Sequence, residues 1–103
     1  MSKVYLDDER IVPEGWIQVY SAGAAIAQLQ TGKVTHISLG HDLGDSEQVG
    51  TGYDVILWIE EQTAMFGFVP PEIDIHSANS SAKVKMQLGV ESIRKFALNN
   101  LRE

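Results

Sequence analysis

The chain has 103 residues, 44% of them hydrophobic, no cysteine and a formal net charge of −6. That is one domain's length, expected over 1–103, and such a domain buries roughly two-thirds of its unfolded surface, so disorder, disulfides and thiolate metal sites are excluded. The acidic balance argues against nonspecific binding to duplex DNA, which depends on Lys and Arg neutralising phosphates, but it leaves room for a small phosphate held by a cation or backbone amides.

No apolar run reaches the roughly 20 residues of a membrane span. The segment Met1-Ser2-Lys3-Val4-Tyr5-Leu6 is too short for a signal peptide, so a cytoplasmic location is expected. In chain order, Lys3 to Leu6 reads as a strand closed by acids, and Ile11 to Gly15, with Pro13, reads as a turn. Trp16-Ile17-Gln18-Val19-Tyr20 is aromatic and β-branched, a second strand. Ser21 caps a helix whose Ala22, Ala25, Ile26 and Leu29 fall on one face, ended by Gly32.

Thr35-His36-Ile37-Ser38-Leu39 is a third strand, followed by a loop from Gly40 to Gly52. Tyr53 to Phe66 is predicted helical, with Val55, Ile56, Ile59 and Phe66 apolar and Glu60 and Glu61 toward water; Gly67 and Pro70-Pro71 end it. Ile73-Asp74-Ile75 is a fourth strand. Asn79 or Ser80 caps a last helix to about Asn100, striped by Ala82, Met86, Ile93 and Ala97. Trp16, Tyr53 and Trp58 are expected in the core, and His36 is read as structural.

The order β-β-α-β-α-β-α predicts an α/β fold with a mainly parallel sheet, whose ligands bind beyond the C-terminal strand ends. Asp7, Asp8, Glu9 and Arg10 follow the first strand, His41 and Asp42 the third, and His76, Ser77 and Asn79 the fourth. A parallel sheet would bring these groups together. Each also has a plain structural role open to it: the acids as a solvated turn, His41-Asp42 as a self-capped loop, His76 as a hydrogen-bonded core histidine, and Asn79 and Ser80 as a helix cap.

The chemistry of such a cluster is phosphate chemistry. Adjacent carboxylates Asp7 and Asp8 suit Mg²⁺ or another divalent cation, or the orientation of a histidine. His41 and His76 suit proton transfer as acid and base, with Asp42 orienting His41 or binding the metal. Ser77 and Asn79, at the start of the last helix, suit phosphate oxygens; Arg10 and Lys83 add positive charge.

Lys3-Val4-Tyr5-Leu6-Asp7-Asp8-Glu9 resembles the first strand of response-regulator receiver domains, whose paired acids hold Mg²⁺, and Ile75-His76-Ser77-Ala78 resembles their fourth. More specifically, five segments together resemble the cyclic-phosphate-processing receiver family. They are Leu6-Asp7-Asp8-Glu9-Arg10, Pro13, Ser38-Leu39-Gly40-His41-Asp42-Leu43-Gly44, Thr51-Gly52-Tyr53-Asp54 and His76-Ser77-Ala78-Asn79. The resemblance implies a small three-layer, flavodoxin-like fold. It also implies action on a cyclic or terminal phosphate of a nucleotide or RNA end, as in RNA repair or nucleotide signalling.

Three departures stand out. Gly40 occupies the receiver phosphoacceptor position, so aspartyl phosphorylation there is impossible. Only about nine residues join the first two strands, too few for a helical crossover, so the first helix is reduced or these strands are not parallel. A fifth strand and its lysine are absent. A phosphoesterase is therefore the leading expectation. The rivals are a non-catalytic module that binds a nucleotide or partner protein, and a metal-dependent phosphatase with histidine ligands.

Overall fold

The computed structural model describes residues 1–101; Arg102 and Glu103, the end of the expected domain, lie outside the described residues. Four short strands form one sheet: β1 (Ser2–Leu6), β2 (Ile17–Val19), β3 (Val34–Leu39) and β4 (Glu72–Ile75). Their order is β2-β1-β3-β4, and every pairing is parallel. The β1–β2 pairing is parallel although residues 7–16 between them carry no helix. β2 is short, roughly 10 Å at the usual rise per residue, so an extended link can return along it without a helix.

Three longer helices pack together: α1 (Ala22–Leu29), α3 (Gly52–Phe66) and α4 (Ser80–Leu101). A single turn, α2 (Ser46–Val49), interrupts what reads in sequence as a continuous loop. Ser21 caps α1, its hydroxyl accepting from the Ala24 N–H at 3.1 Å. Thr51 caps α3 in a reciprocal box with Asp54, which starts the helix at Gly52. Gly67 then ends it in the left-handed conformation at φ 69°.

Strand alternation sets the layers. Val4, Leu6, Val19, Ile37 and Leu39 are buried against Ala25, Leu29, Val55, Ile56, Ile59, Met86, Val90 and Ile93. Each fully buried Leu or Ile contributes roughly 1.5–3 kcal/mol. On the opposite face Lys3, His36, Glu72 and Asp74 are exposed, and Tyr5 and Gln18 half-buried. The expected receiver-like class, with a reduced first helix and a four-stranded parallel sheet, is present. Its layering is two deep rather than three among the described residues. The helix that would cover the second face is replaced by the link 7–16, whose Trp16 lies edge-on to Tyr5 and His36 and whose Asp7 and Arg10 carbonyls accept from the Gln18 amide.

Trp16 is thus half-buried outside the core, whereas Tyr53 and Trp58 pack against it. Phe66 is exposed; Thr63, four residues past Ile59, fills the core position instead and donates its hydroxyl to the Ile59 carbonyl at 2.7 Å. Ala97 is only half-buried, and Val90 completes the α4 stripe.

Candidate functional site

Leu6, Leu39 and Ile75 are register partners, all turned toward the helices. Alternation therefore turns the next residue of each strand the other way, and Asp7, Gly40 and His76 emerge side by side at the C-terminal edge. The expected convergence of the strand ends exists, and its centre is a hydrogen-bonded line of three side chains. His76 Nε2 lies 2.8 Å from Asp7 Oδ2, and His76 Nδ1 lies 2.7 Å from Ser38 Oγ. Asp7 is buried, and its Oδ1 accepts from the Glu9 and Arg10 N–H groups, each at 2.8 Å. The Tyr5 ring stacks on His76, with centroids 4.4 Å apart and planes 7° apart.

Protonation follows from these partners. Burial pulls His76 below its ordinary value, against the opposing pull of the Asp7 carboxylate. Burial would raise Asp7, but the Arg10 and Glu9 N–H groups and His76 outweigh it and hold the carboxyl low. A neutral imidazole beside a carboxylate satisfies every group: Nε2–H donates to Asp7, and Ser38 O–H donates to Nδ1. The connectivity matches that of a nucleophilic triad, but Ser38 is only 5% exposed, so its hydroxyl orients the imidazole.

Gly40 is the residue that admits this arrangement. A Cβ there would stand 3.1 Å from His76 Nε2, 3.2 Å from Asp7 Oδ2 and 3.0 Å from the Leu6 carbonyl oxygen. The space a receiver gives to its phosphoacceptor is here bounded by the Asp7–His76 pair. Gly40→Ala is expected to cost about 1–3 kcal/mol by overpacking and to push His76 off Asp7. The imidazole NH resonances of His76 report it, since unchanged shifts would mean the pair does not depend on Gly40.

His41 and Asp42 form a second pair, His41 Nδ1 to Asp42 Oδ1 at 2.8 Å. The hydrogen bond from His41 holds the exposed Asp42 below its ordinary value, with a further contribution from Asn79. Among the described residues His41 Nε2 has no hydrogen-bond partner, unlike either nitrogen of His76. Backbone contacts fix the loop: the Gly52 N–H donates to the His41 carbonyl at 3.3 Å, and Asp42 bridges Thr51. Gly52 itself lies too close to the Gly40 carbonyl to carry a side chain.

A pocket of about 170 Å³ lies among these groups, lined by the segments Asp7–Arg10, Gly40–Asp42 and His76–Ala78. Arg10 is half-exposed, with Nε 3.6 Å from Asp7 Oδ2. Ser77 is in the wall, and its hydroxyl accepts from the Asn79 N–H at 3.1 Å. Asn79 caps α4 through the Ala82 N–H at 3.1 Å and reaches Asp42 Oδ2 at 3.5 Å, outside the wall. Lys83 lines a different depression, with Asp74, Gln87 and Arg94. Ser38 and Tyr5 are site residues that the sequence reading did not single out. The signal available was a serine between Ile37 and Leu39, two residues before Gly40 on the same face.

The cation implied by the receiver resemblance does not fit this donor set. Both Asp7 oxygens are engaged, one by two N–H groups and the other by His76 with Arg10 beside it. Asp8 is exposed, and among the described residues no three His, Asp or Glu side chains are grouped to share an ion. No helix of the described residues is long and apolar enough to cross a membrane.

No curated protein and no solved structure gives a significant match. The profile of the cyclic-phosphate processing receiver domain matches residues 2–92. With the parallel four-stranded sheet and the Asp7, His41 and His76 strand-end cluster, that match places the chain in the cyclic-phosphate processing receiver domain family.

Proposed function

We propose that this protein is a phosphoesterase that opens a cyclic phosphate on a nucleotide or RNA end, with His41 as the proton-transfer group. The observation that carries this reading is the difference between the two histidines. His41 is oriented by Asp42 at Nδ1 and keeps Nε2 open in the wall of the pocket, whereas both nitrogens of His76 are engaged. Water attacks phosphorus as His41 Nε2 takes its proton, the bond from phosphorus to one ribose oxygen breaks, and His41 returns the proton to that oxygen. The product is a phosphomonoester. Arg10 supplies charge to the phosphate oxygens, and the Asp7–His76–Ser38 line holds the floor of the pocket rigid.

The test is a hydrolysis panel of 2′,3′-cyclic nucleotides, RNA with a cyclic end, 3′,5′-cyclic nucleotides and cyclic dinucleotides, each with Mg²⁺ and with EDTA. Turnover unchanged by EDTA is expected. Loss of turnover in EDTA would return Asp7 and Asp8 to a metal role. Ligand-induced thermal stabilisation with no turnover would make the protein a binding module.

A further inference from the structure

Helix α4 buries Ala82, Met86, Val90 and Ile93 and turns its opposite side to solvent. That side carries Val84, Leu88, Glu91, Lys95 and Leu98, all exposed. Their spacing runs four, three, four, three, the alternation that keeps a stripe on one face when two helices wind about each other. Val84, Leu88 and Leu98 leave 59%, 62% and 57% of their surface in water. A single exposed leucine needs no explanation, but three aliphatic side chains in the register of a helix–helix seam do.

The charges within the stripe select the occupant. In a two-fold antiparallel pair of α4 helices, positions equally far from the axis meet. With the axis at the level of Ile93, Leu88 and Leu98 stand five residues to either side, and Glu91 and Lys95 two. Leu88 then meets Leu98 of the second copy and Glu91 meets its Lys95, and each contact occurs twice. Among the described residues neither Glu91 nor Lys95 is in an ion pair within the chain, so both are free to pair across the axis. A parallel pair would set Glu91 on Glu91 and Lys95 on Lys95, and like charges in a seam repel. The stripe lies opposite the side that packs on α3 and β4, so the two bodies fall on either side of the helix pair without colliding. The two Asn79 caps are then roughly 40 Å apart at the usual rise per residue, which leaves both strand-end pockets open.

We propose that this protein self-associates as an antiparallel two-fold dimer through the outer face of α4, with Leu88 and Leu98 as its apolar layers and the Glu91–Lys95 pairs setting its orientation. The interface is one helix wide, at the low end of specific contacts, so the dimer is reversible and depends on concentration. It is independent of the phosphate chemistry and stands whichever way that reading falls.

The test is sedimentation equilibrium of the whole chain from roughly 10 µM to 1 mM, over which the wild type is expected to pass from monomer to dimer. Glu91→Lys sets lysine against lysine twice across the axis, and Lys95→Glu sets glutamate against glutamate twice. Each is expected to raise the dimer Kd by roughly tenfold or more. Both positions are exposed, so the fold is spared. An equimolar mixture of the two variants restores every opposite-charge contact and is expected to dimerise at least as well as the wild type. A wild-type protein that stays monomeric at the highest concentration would overturn the proposal, as would a mixture no more associated than its two components. The chain has no cysteine, so orientation is read by disulfide trapping. Leu88→Cys mixed with Leu98→Cys is expected to cross-link on mild oxidation, whereas Leu88→Cys cross-linking preferentially to itself would overturn the antiparallel register.

Discussion

His41→Ala is expected to lower kcat by roughly 10²- to 10⁴-fold, the usual contribution of a positioned general acid–base, while leaving the fold intact. The fold is spared because backbone contacts hold the loop. The Gly52 N–H bonds the His41 carbonyl, and Asp42 bridges Thr51, and neither uses the imidazole. Asp42 acts through His41, so Asp42→Ala should cost less than His41→Ala and lose nothing further when the two are combined. His76→Ala is expected to behave differently, lowering thermal stability along with activity, because it strips Asp7 and Ser38 of their shared partner. Steady-state kinetics beside thermal melts separates the two histidines. Full activity in His41→Ala would sink the mechanism, and a melt as low as that of His76→Ala would show that His41 is structural.

Asp7→Ala is expected to destabilise the domain by about 3 kcal/mol, lowering Tm by more than roughly 10 °C. The change deprives three donors of their acceptor at once: the Glu9 N–H, the Arg10 N–H and His76 Nε2–H. Asp7→Asn is the milder variant, at roughly 1 kcal/mol, because its Oδ1 still accepts from the two N–H groups. Its amide then points a donor at His76 Nε2, which has to become the acceptor, and Nδ1–H donates to Ser38 in turn. The wild type carries a pH signature of the same pair. The folded protein holds His76 below its ordinary 6.5, so the unfolded chain binds more protons just below that pH. This stabilisation is complete above pH 6.5 and is lost as pH falls through the folded value. Asp7 is likewise held below its ordinary 3.8, so its contribution is lost only in stronger acid. Urea midpoints should be flat above pH 6.5 and fall below it, with a shallower fall in His76→Asn. Parallel slopes in the two proteins would show that His76 is not the titrating group.

Much of this protein was legible in its sequence, for a local reason. Strands announce themselves by β-branched and aromatic runs, helices by caps and 3.6-residue stripes, and Ser21, Thr51 with Asp54, Gly67 and Asn79 act within a few residues of themselves. The parallel sheet followed from alternating elements, and the convergence of Asp7, His41 and His76 followed from the parallel sheet. The resemblance to cyclic-phosphate processing receivers rested on the same strand-end segments.

Tertiary structure decided what depends on partners distant along the chain. Which histidine keeps an open nitrogen turns on Ser38 and Asp7, 38 and 69 residues from His76 in sequence. Composition marks Asp7 and Asp8 alike, and only the tertiary structure separates them: Asp7 is buried and bonded to two backbone N–H groups and His76, while Asp8 is exposed. Lys83 stands in the first turn of α4 yet faces away from the pocket lining, because a helical turn spreads its side chains over all directions. The number of layers also escaped the sequence. Whether a sheet face is covered depends on where the connecting segments travel, and the link 7–16, long enough to return along a three-residue strand, leaves that face open.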